Sequence, residues 1–215
     1  MSGLTLFIGN QKYSSWSLRP WIAMKVKGVA FTQQLMRFDD HPGRVDFRSF
    51  SDTGTVPALH HGDLRISESL AILEYLADLH PEKGFWPADR EARAKARSIS
   101  AEMAAGFRPL RGECPMNFAR QVRAIEVSDG VRANVRRIEE MWDRCLAASG
   151  GPFLFGAFCN ADAMYAPVVN RLEIYALSDH PAVKAYSAAM QALPAWQEWA
   201  AAGKAEPWIV PEDEA

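Results

Sequence analysis

The segment YSSWS, residues 13–17, groups the hydroxyl side chains with the most evident chemical use. It lies between a predicted strand and a predicted helix. Free backbone N–H groups and the helix dipole stabilise an anion at such a helix start, and a serine hydroxyl there can donate a hydrogen bond to a thiolate or a carboxylate. Serine is equally a preferred residue for capping a helix, so this cluster by itself leaves both uses open.

Two other short segments can complete a binding site. Val56 and Pro57 begin a predicted strand, a place that suits proline because proline cannot donate to a strand ladder. Ser67, Glu68 and Ser69 open a strongly amphipathic helix and also have the composition of an ordinary helix cap. In a binding site, Glu68 would hold an amine, and the Ser69 hydroxyl with the helix N–H groups would hold a carboxylate.

Other catalytic patterns are missing from the sequence. His60 and His61 are adjacent in a predicted strand, so their side chains point to opposite faces and cannot chelate one ion together. The sequence contains no HExxH motif or Cys/His cluster, no glycine-rich phosphate loop and no GxSxG motif. We therefore expect no metal site, no phosphate loop and no serine hydrolase.

Composition indicates a globular protein. The 215 residues include 24 Lys and Arg and 26 Asp and Glu, and this net charge of −2 argues against a nucleic-acid binder. Hydrophobic residues make up 48% of the chain, yet no run of about 18 apolar residues could cross a membrane. The start lacks the basic region of a signal peptide. Cys114, Cys145 and Cys159 have no CxxC spacing, so we expect free thiols and a cytoplasmic location.

Strand-like and helix-like segments alternate over the first 80 residues. The predicted order is strand 4–9, helix 17–27, strand 31–38, a weak helix at 45–50, a hairpin about Gly62 and helix 68–80. Two strands joined by a crossover helix pair in parallel, and a hairpin adds antiparallel strands. The sequence therefore predicts an α/β domain with a mixed four-stranded sheet.

The second half of the chain has only helical periodicity. Residues 81–89 contain two prolines and a glycine, and we place a linker there. One later helix, beginning near Asp162, is expected to be interrupted or kinked at Pro167. The acidic end PEDEA is expected to fray. The predicted domains are 1–80 (α/β), 81–89 (linker) and 90–215 (all-α).

The order of these segments resembles the cytosolic glutathione transferases over essentially the whole chain. The resemblance rests on YSSWSLRPWIA, on VPAL at 56–59 followed by ESLAI at 68–72, and on a proline-containing linker before a helical half. FCNADAMYAP is similar to the family's capping box, with Cys159 where the family usually has Ser or Thr. The family's fold implies a thioredoxin-like N-terminal domain and an all-α C-terminal domain. Its usual state implies a homodimer.

The class that SSWS followed by Arg19 resembles most is the serine-type zeta class, which includes maleylacetoacetate isomerases. Its motif is Ser-Ser-Cys, and Trp16 stands in the place of the cysteine. The resemblance implies that Ser14 and Ser15 are the catalytic serines, with Ser14 the preferred donor to the thiolate of glutathione.

The same resemblance implies which residues bind glutathione. Val56 and Pro57 would hold the cysteinyl backbone, and Glu68 and Ser69 would hold the γ-glutamyl end. His41 or Arg44 would meet the glycyl carboxylate. Glutathione is thus the implied co-substrate, and no metal is implied.

The implied mechanism lowers the pKa of the glutathione thiol. A free thiol has a pKa of roughly 8.5, and lowering it by about two requires roughly 2.7 kcal/mol. A hydrogen bond to a charged group contributes roughly 1.5–3 kcal/mol, and a helix start adds roughly 0.3–1 kcal/mol. The serine would therefore act as a hydrogen-bond donor, and the glutathione sulfur would attack an apolar electrophile.

The pocket for that electrophile is expected between the domains. Its candidate wall residues are Trp16, Met103, Phe107, Arg108, Cys114, Met116 and Phe118. Three functions stay open at this point: a glutathione transferase, a glutathione-dependent cis–trans isomerase of the maleylacetoacetate type, and a non-catalytic binding protein with a transferase-like fold.

Overall fold

The computed structural model describes residues 3–38 and 45–214 of the chain. In this part of the chain, four strands form one sheet in the order β2-β1-β3-β4. Strand β1 is parallel to β2 and antiparallel to β3, and β3 is antiparallel to β4. The strands are β1 (Leu4–Ile8), β2 (Phe31–Leu35), β3 (Ala58–His61) and β4 (Leu64–Ser67). The predicted mixed sheet and its hairpin about Gly62 are confirmed.

Two helices accompany this sheet. Helix α1 (Ser15–Val26) connects β1 to the parallel strand β2, and helix α2 (Ser69–Leu79) follows the hairpin. Both helices contribute fully buried apolar side chains, among them Leu18, Ile22 and Leu73, to one core with the strands. The weak helix expected near residue 47 is a short 3-10 turn.

The remainder of the described chain is helical, apart from 3-10 turns and one isolated bridge between Phe153 and Gly156. Its helices are α3 (Arg90–Ala105), α4 (Arg108–Glu113), α5 (Asp129–Ser149), α6 (Asn160–Ile174), α7 (Pro181–Gln191) and α8 (Pro194–Ala205). Within residues 3–38 and 45–214, no helix combines the length and apolar character that a membrane crossing requires.

Helix α6 is the centre of the helical half. Every residue of α6 except Glu173 is buried, and α6 packs against both α1 and α3. The prediction that Pro167 interrupts this helix is wrong, because one continuous helix runs through it, whereas a kink at Pro167 stays a prediction. Proline removes only one backbone donor, and burial on all sides stabilises the helix by more than that loss.

Asp162 fixes the start of α6. It is fully buried, and its carboxylate accepts hydrogen bonds from the N–H of Cys159 at 2.8 Å, the N–H of Leu154 at 3.0 Å and the hydroxyl of Tyr186 at 3.0 Å. The capping interaction that the sequence predicts for this aspartate is therefore present. It satisfies donors that a helix start leaves without intrahelical partners.

The segment after α8 packs on the N-terminal domain. Residues 206–214, which we call the C-terminal strap, end in a 3-10 turn over Pro211–Asp213. The ammonium group of Lys12 donates a hydrogen bond to the carbonyl of Trp208 in the strap, at 3.1 Å. The hydroxyl of Tyr13 donates a hydrogen bond to the carboxylate of Glu214. The prediction that the acidic end frays is wrong for the residues described, because these long-range hydrogen bonds hold it.

Candidate active site

The register of the sheet places three predicted binding segments at the same end of the sheet, where β1 and β4 finish and β3 begins. Phe7 of β1 pairs with Ala58 of β3, and Ala58 pairs with Ser67 of β4. The serine loop, residues 9–15, follows β1; the VPAL segment leads into β3; and the ESLAI segment follows β4. Because these strand ends are neighbours, the fold brings the three segments together.

Ser14 and Ser15 lie at the start of α1. Ser14 is the N-cap residue and is buried, whereas Ser15 is half-buried. The Ser14 hydroxyl does not cap the helix but donates to Oγ of Ser17 at 2.7 Å. Ser17 is fully buried, and its Oγ also accepts the N–H of Gly9 at 3.1 Å. The Ser14 oxygen is therefore held in place while the first backbone N–H groups of α1 stay available to an anion.

The VPAL and ESLAI segments have features of a ligand site. The Val56–Pro57 peptide bond is cis. Glu68 is exposed and adopts a left-handed φ of 72°, a conformation that is uncommon for residues other than glycine. The hydroxyl of Ser69 is buried and has no hydrogen-bond partner among residues 3–38 and 45–214. A buried, unpaired donor at a helix start suits a ligand carboxylate.

His41 and Arg44 lie outside the described residues. Their assignment to the glycyl carboxylate of glutathione therefore stays a prediction.

A cavity of about 730 Å³ opens between the two domains beside the serine loop. Its lining includes Ser14, Ser15, Trp16 and Val56 from the N-terminal domain, Arg108, Arg111, Met116 and Arg171 from the helical half, and Asp213 from the strap. Trp16, Arg108 and Met116 thus line this cavity, and their contact with an electrophile stays a prediction. The described lining does not include Pro57, Glu68, Ser69, Met103, Phe107, Cys114 or Phe118.

Phe107 and Cys114 are instead part of the packed interior. The ring of Phe107 lies 6.4 Å from that of Tyr165 in an edge-to-face arrangement. Cys114 is fully buried, and its carbonyl accepts Nε of Arg171 at 2.8 Å. Burial raises the pKa of the Cys114 thiol to about 11, so this cysteine is protonated at neutral pH and is a poor nucleophile.

Trp16 contacts two guanidinium groups. The guanidinium carbon of Arg19 is 3.8 Å from the centre of its ring, and that of Arg111 is 5.2 Å away. Arg19 is completely buried; its Nε donates to the Met164 carbonyl, but neither Nη atom has a hydrogen-bond partner in the described chain. Burial, and then the neighbouring Arg171 and Arg111, lower its pKa.

The cavity is rich in positive charge. Burial, followed by the nearby Arg111, lowers the pKa of Arg171 to about 10, and burial followed by Arg108 lowers the pKa of Arg111. Within the described part of the chain, none of these three arginines forms a salt bridge. Asp213 is the acidic residue of the lining, and burial raises its pKa although Arg171 opposes this. The excess of cations favours an anionic ligand.

Three lining residues were not predicted from the sequence: Arg111, Arg171 and Asp213. Arg111 follows Arg108 by three residues on α4, and residues at this spacing share a helix face. That spacing was a usable signal. Arg171 and Asp213 come from α6 and the strap, and no local pattern connects them with the serines.

Two family models match this chain. The glutathione S-transferase N-terminal domain matches residues 13–79, and the glutathione S-transferase C-terminal domain matches residues 125–202. With the thioredoxin-like sheet, the serine loop and the helical half, these matches show that the chain belongs to the glutathione S-transferase family. Within it, the chain is close to the zeta-like members.

Its curated relatives include a maleylacetoacetate isomerase from Rattus norvegicus. That relative is 28% identical over 190 residues, which cover 86% of this chain and 87% of the relative. Glutathione S-transferase Z2 from Arabidopsis thaliana is 26% identical over 193 residues, covering 86% and 85%. These relatives and the family support a glutathione-dependent transferase or isomerase activity.

A solved structure with the same architecture contains glutathione. It is a glutathione transferase homologue from Burkholderia with bound glutathione, 26% identical to this chain, with a TM-score of 0.72 and coverage of 95% of this chain and 99% of that one. Among the described residues of the present chain, no cluster of three or more His, Cys, Asp or Glu could hold a metal ion. The homodimer that the resemblance implies stays a prediction.

Proposed function

We propose that this chain is a glutathione transferase in which the Ser14 hydroxyl stabilises the thiolate of glutathione for attack on an electrophile in the cavity between the domains. The observation that carries the proposal is the position of Ser14, buried at a helix start and on the wall of that cavity. The thiol loses its proton to solvent. The sulfur then forms a bond to the electrophilic carbon, and the leaving group departs with its electron pair.

The neighbouring segments suit the rest of the tripeptide. The Ser69 hydroxyl, which has no partner in the described chain, and the N–H groups at the start of α2 can donate hydrogen bonds to the γ-glutamyl carboxylate, while the exposed Glu68 can pair with the ammonium group. The backbone of Val56 lies on the cavity wall and can pair with the cysteinyl unit. This placement directs the thiol toward the serine loop, because the three segments share one end of the sheet.

Ser14 is a better donor than Ser15 for energetic reasons. Its side chain is buried, so few rotamers are open to it and little side-chain entropy is lost when the ligand binds. Turning its proton from the neutral Ser17 oxygen to a thiolate exchanges a neutral hydrogen bond for a stronger, charge-assisted one. Burial keeps water from weakening that bond.

The second substrate should combine an apolar body with an acid group. Trp16 and Met116 offer apolar surface to the electrophile that the sequence predicts. Arg108 and Arg111 add cations without salt-bridge partners in the described chain. Guanidinium groups bind carboxylates through charge-assisted hydrogen bonds, so we propose an electrophile that carries a carboxylate.

A glutathione-dependent isomerase is the second candidate. The rat relative is named maleylacetoacetate isomerase, and an acid substrate of that kind suits the arginines. The thiolate would add to a carbon–carbon double bond and leave again after rotation, which regenerates glutathione. Incubation with maleylacetoacetate separates the candidates: isomerisation without loss of glutathione supports the isomerase, and a stable conjugate supports the transferase. Trp16, in place of the zeta cysteine, favours the transferase.

The proposal is tested by titrating glutathione bound to the purified protein. We expect the thiolate absorbance to appear about two pH units below its position in free glutathione, since the serine and the helix start together supply roughly 2–4 kcal/mol. Free glutathione is the control. Failure to bind, or binding with an unshifted thiol, would contradict the catalytic proposal and leave a non-catalytic binding protein.

Substitution of Asp213 tests the proposed acid group. Asp213→Asn removes the negative charge from the lining and with it the repulsion between Asp213 and a substrate carboxylate. Because two partly exposed charges interact by roughly 0.2–1 kcal/mol, we expect KM for a carboxylate-bearing electrophile to fall about threefold. KM for a neutral electrophile should not change. Glu212→Gln is the matched control, since Glu212 is exposed on the same turn and does not line the cavity. Equal effects on both electrophiles would refute the acid-group assignment.

A further inference from the structure

The backbone of the serine loop is held by a residue nearly two hundred positions away. The carboxylate of Glu206, only 9% exposed, accepts the N–H of Gln11 at 2.8 Å and the N–H of Lys12 at 3.1 Å. Each carboxylate oxygen takes one of these hydrogen bonds. Glu206 thus satisfies two consecutive buried donors that precede Ser14 by two and three residues.

The fit between this loop and the end of α8 is close. Gly203 lies so near the loop that a Cβ there would be 3.0 Å from the carbonyl oxygen of Gln11. On the other side, the N–H of Phe118 donates to the carbonyl of Lys12 at 3.1 Å. The helical half and the strap therefore fix both polar groups of the Lys12 backbone.

The backbone of Lys12 determines the position of Ser14, because only one residue separates them in a tight turn. The N–H groups of Tyr13 and Ser14 both donate to the carbonyl of Asn10, at 3.1 and 2.7 Å. The loop is thus a tight turn whose middle residues are held by Glu206 and whose end is the start of α1. A displacement of its middle would move the Ser14 hydroxyl and the free N–H groups of α1 relative to the cavity.

We propose that Glu206 is a positioning residue for the thiolate site, because it holds the serine loop in the orientation that directs Ser14 at the glutathione sulfur. This inference rests on the proposed function. Glu206 does not line the cavity, so it would act through the loop and not by contact with substrate.

No other side chain substitutes fully for this carboxylate. A glutamine has one oxygen acceptor, and its amide N–H₂ group would face a backbone donor, so Glu206→Gln retains at most one of the two hydrogen bonds. Alanine retains neither and leaves two buried donors unpaired. The series Glu, Gln, Ala at position 206 therefore reduces the number of hydrogen bonds to the loop step by step, and it changes no residue of the cavity lining.

The test measures the thiol of bound glutathione and steady-state kinetics in this series. We expect Glu206→Ala to raise the pKa of the bound thiol by about one and to lower kcat about tenfold, because small displacements of a catalytic group are costly. KM for the electrophile should change less than kcat. Glu206→Gln should give intermediate values, and it provides the comparison if Glu206→Ala does not fold.

Two control variants separate positioning from general stability. Glu198→Ala removes an exposed carboxylate of α8 that pairs with Lys25, away from the loop, and should leave both readouts unchanged. Met190→Ala opens the core at a fully buried residue of α7, so it should lower Tm without raising the thiol pKa.

The outcomes distinguish this inference from the function it rests on. If the wild-type protein shows no shift of the thiol pKa, the proposed function fails and the inference fails with it. If the wild-type thiol is shifted and both Glu206 variants keep that shift while only Tm falls, the proposed function stands and Glu206 has no positioning role.

Discussion

Replacement of Ser14 by alanine should lower kcat/KM for glutathione conjugation about 10- to 100-fold, since a hydrogen bond to a charged group contributes roughly 1.5–3 kcal/mol and each 1.36 kcal/mol is a factor of ten. The pKa of the bound thiol should rise by about one to two pH units, which corresponds to the same loss of free energy. The fold should tolerate the change, because the Ser14 hydroxyl does not accept a capping hydrogen bond from the first N–H groups of α1. Parallel measurement of the pH–rate profile and of the thiolate absorbance tests both effects.

Ser15→Ala is the matched control for this prediction. Ser15 is a neighbouring hydroxyl on the same cavity wall, but it is half-buried, and no hydrogen bond fixes it in the described chain. We expect a loss of less than about threefold, as for a weakly held, solvent-accessible hydroxyl. A large loss in Ser15→Ala with little effect in Ser14→Ala would assign the donor to Ser15. Unchanged turnover in both variants would refute the serine mechanism.

Removal of the two solvent-accessible arginines from the cavity should change substrate selection. For the double variant Arg108→Gln with Arg111→Gln, we expect KM for a carboxylate-bearing electrophile to rise about tenfold or more, because each charge-assisted hydrogen bond contributes roughly 1.5–3 kcal/mol. KM for a neutral aryl halide should stay within about twofold, since no charge is involved. Steady-state kinetics with both electrophiles gives the comparison.

The matched control is the double variant Arg132→Gln with Arg136→Gln. These arginines are exposed on α5, outside the cavity lining, and their loss changes the net charge by the same amount. They should leave both KM values unchanged. If the cavity variant and the surface variant have the same effect, long-range attraction explains the result and the proposed carboxylate site is wrong. Arg171 is unsuitable for this test because its Nε supports the Cys114 carbonyl.

The sequence predicted the N-terminal domain well because its signals are local. A short apolar run defines β1, a two-residue turn defines the hairpin, and the row Phe7, Ala58 and Ser67 follows once the strands pair. Ser14 and Ser15 could be identified as candidates because a helix start alone gives serine a plausible role.

Features that depend on distant contacts could not be predicted in the same way. Pro167 suggested an interrupted helix, because the sequence around it does not reveal that α1 and α3 pack against α6. Arg111 and Arg171 share the cavity only because the fold brings one residue of α4 and one residue of α6 to its wall. The acidic C-terminal strap has the composition of a frayed end, and its hydrogen bonds to Tyr13 and Lys12 exist only in the folded chain.

The hydrogen bonds from Gln11 and Lys12 to Glu206 also set an order of events during synthesis. A ribosome makes the N-terminal sheet first, and domains generally fold as they emerge. Two backbone donors of the serine loop, however, have only water as an acceptor until Glu206 has left the ribosome tunnel and docked. A nascent chain therefore completes its serine loop only after the segment beyond α8 has been synthesised.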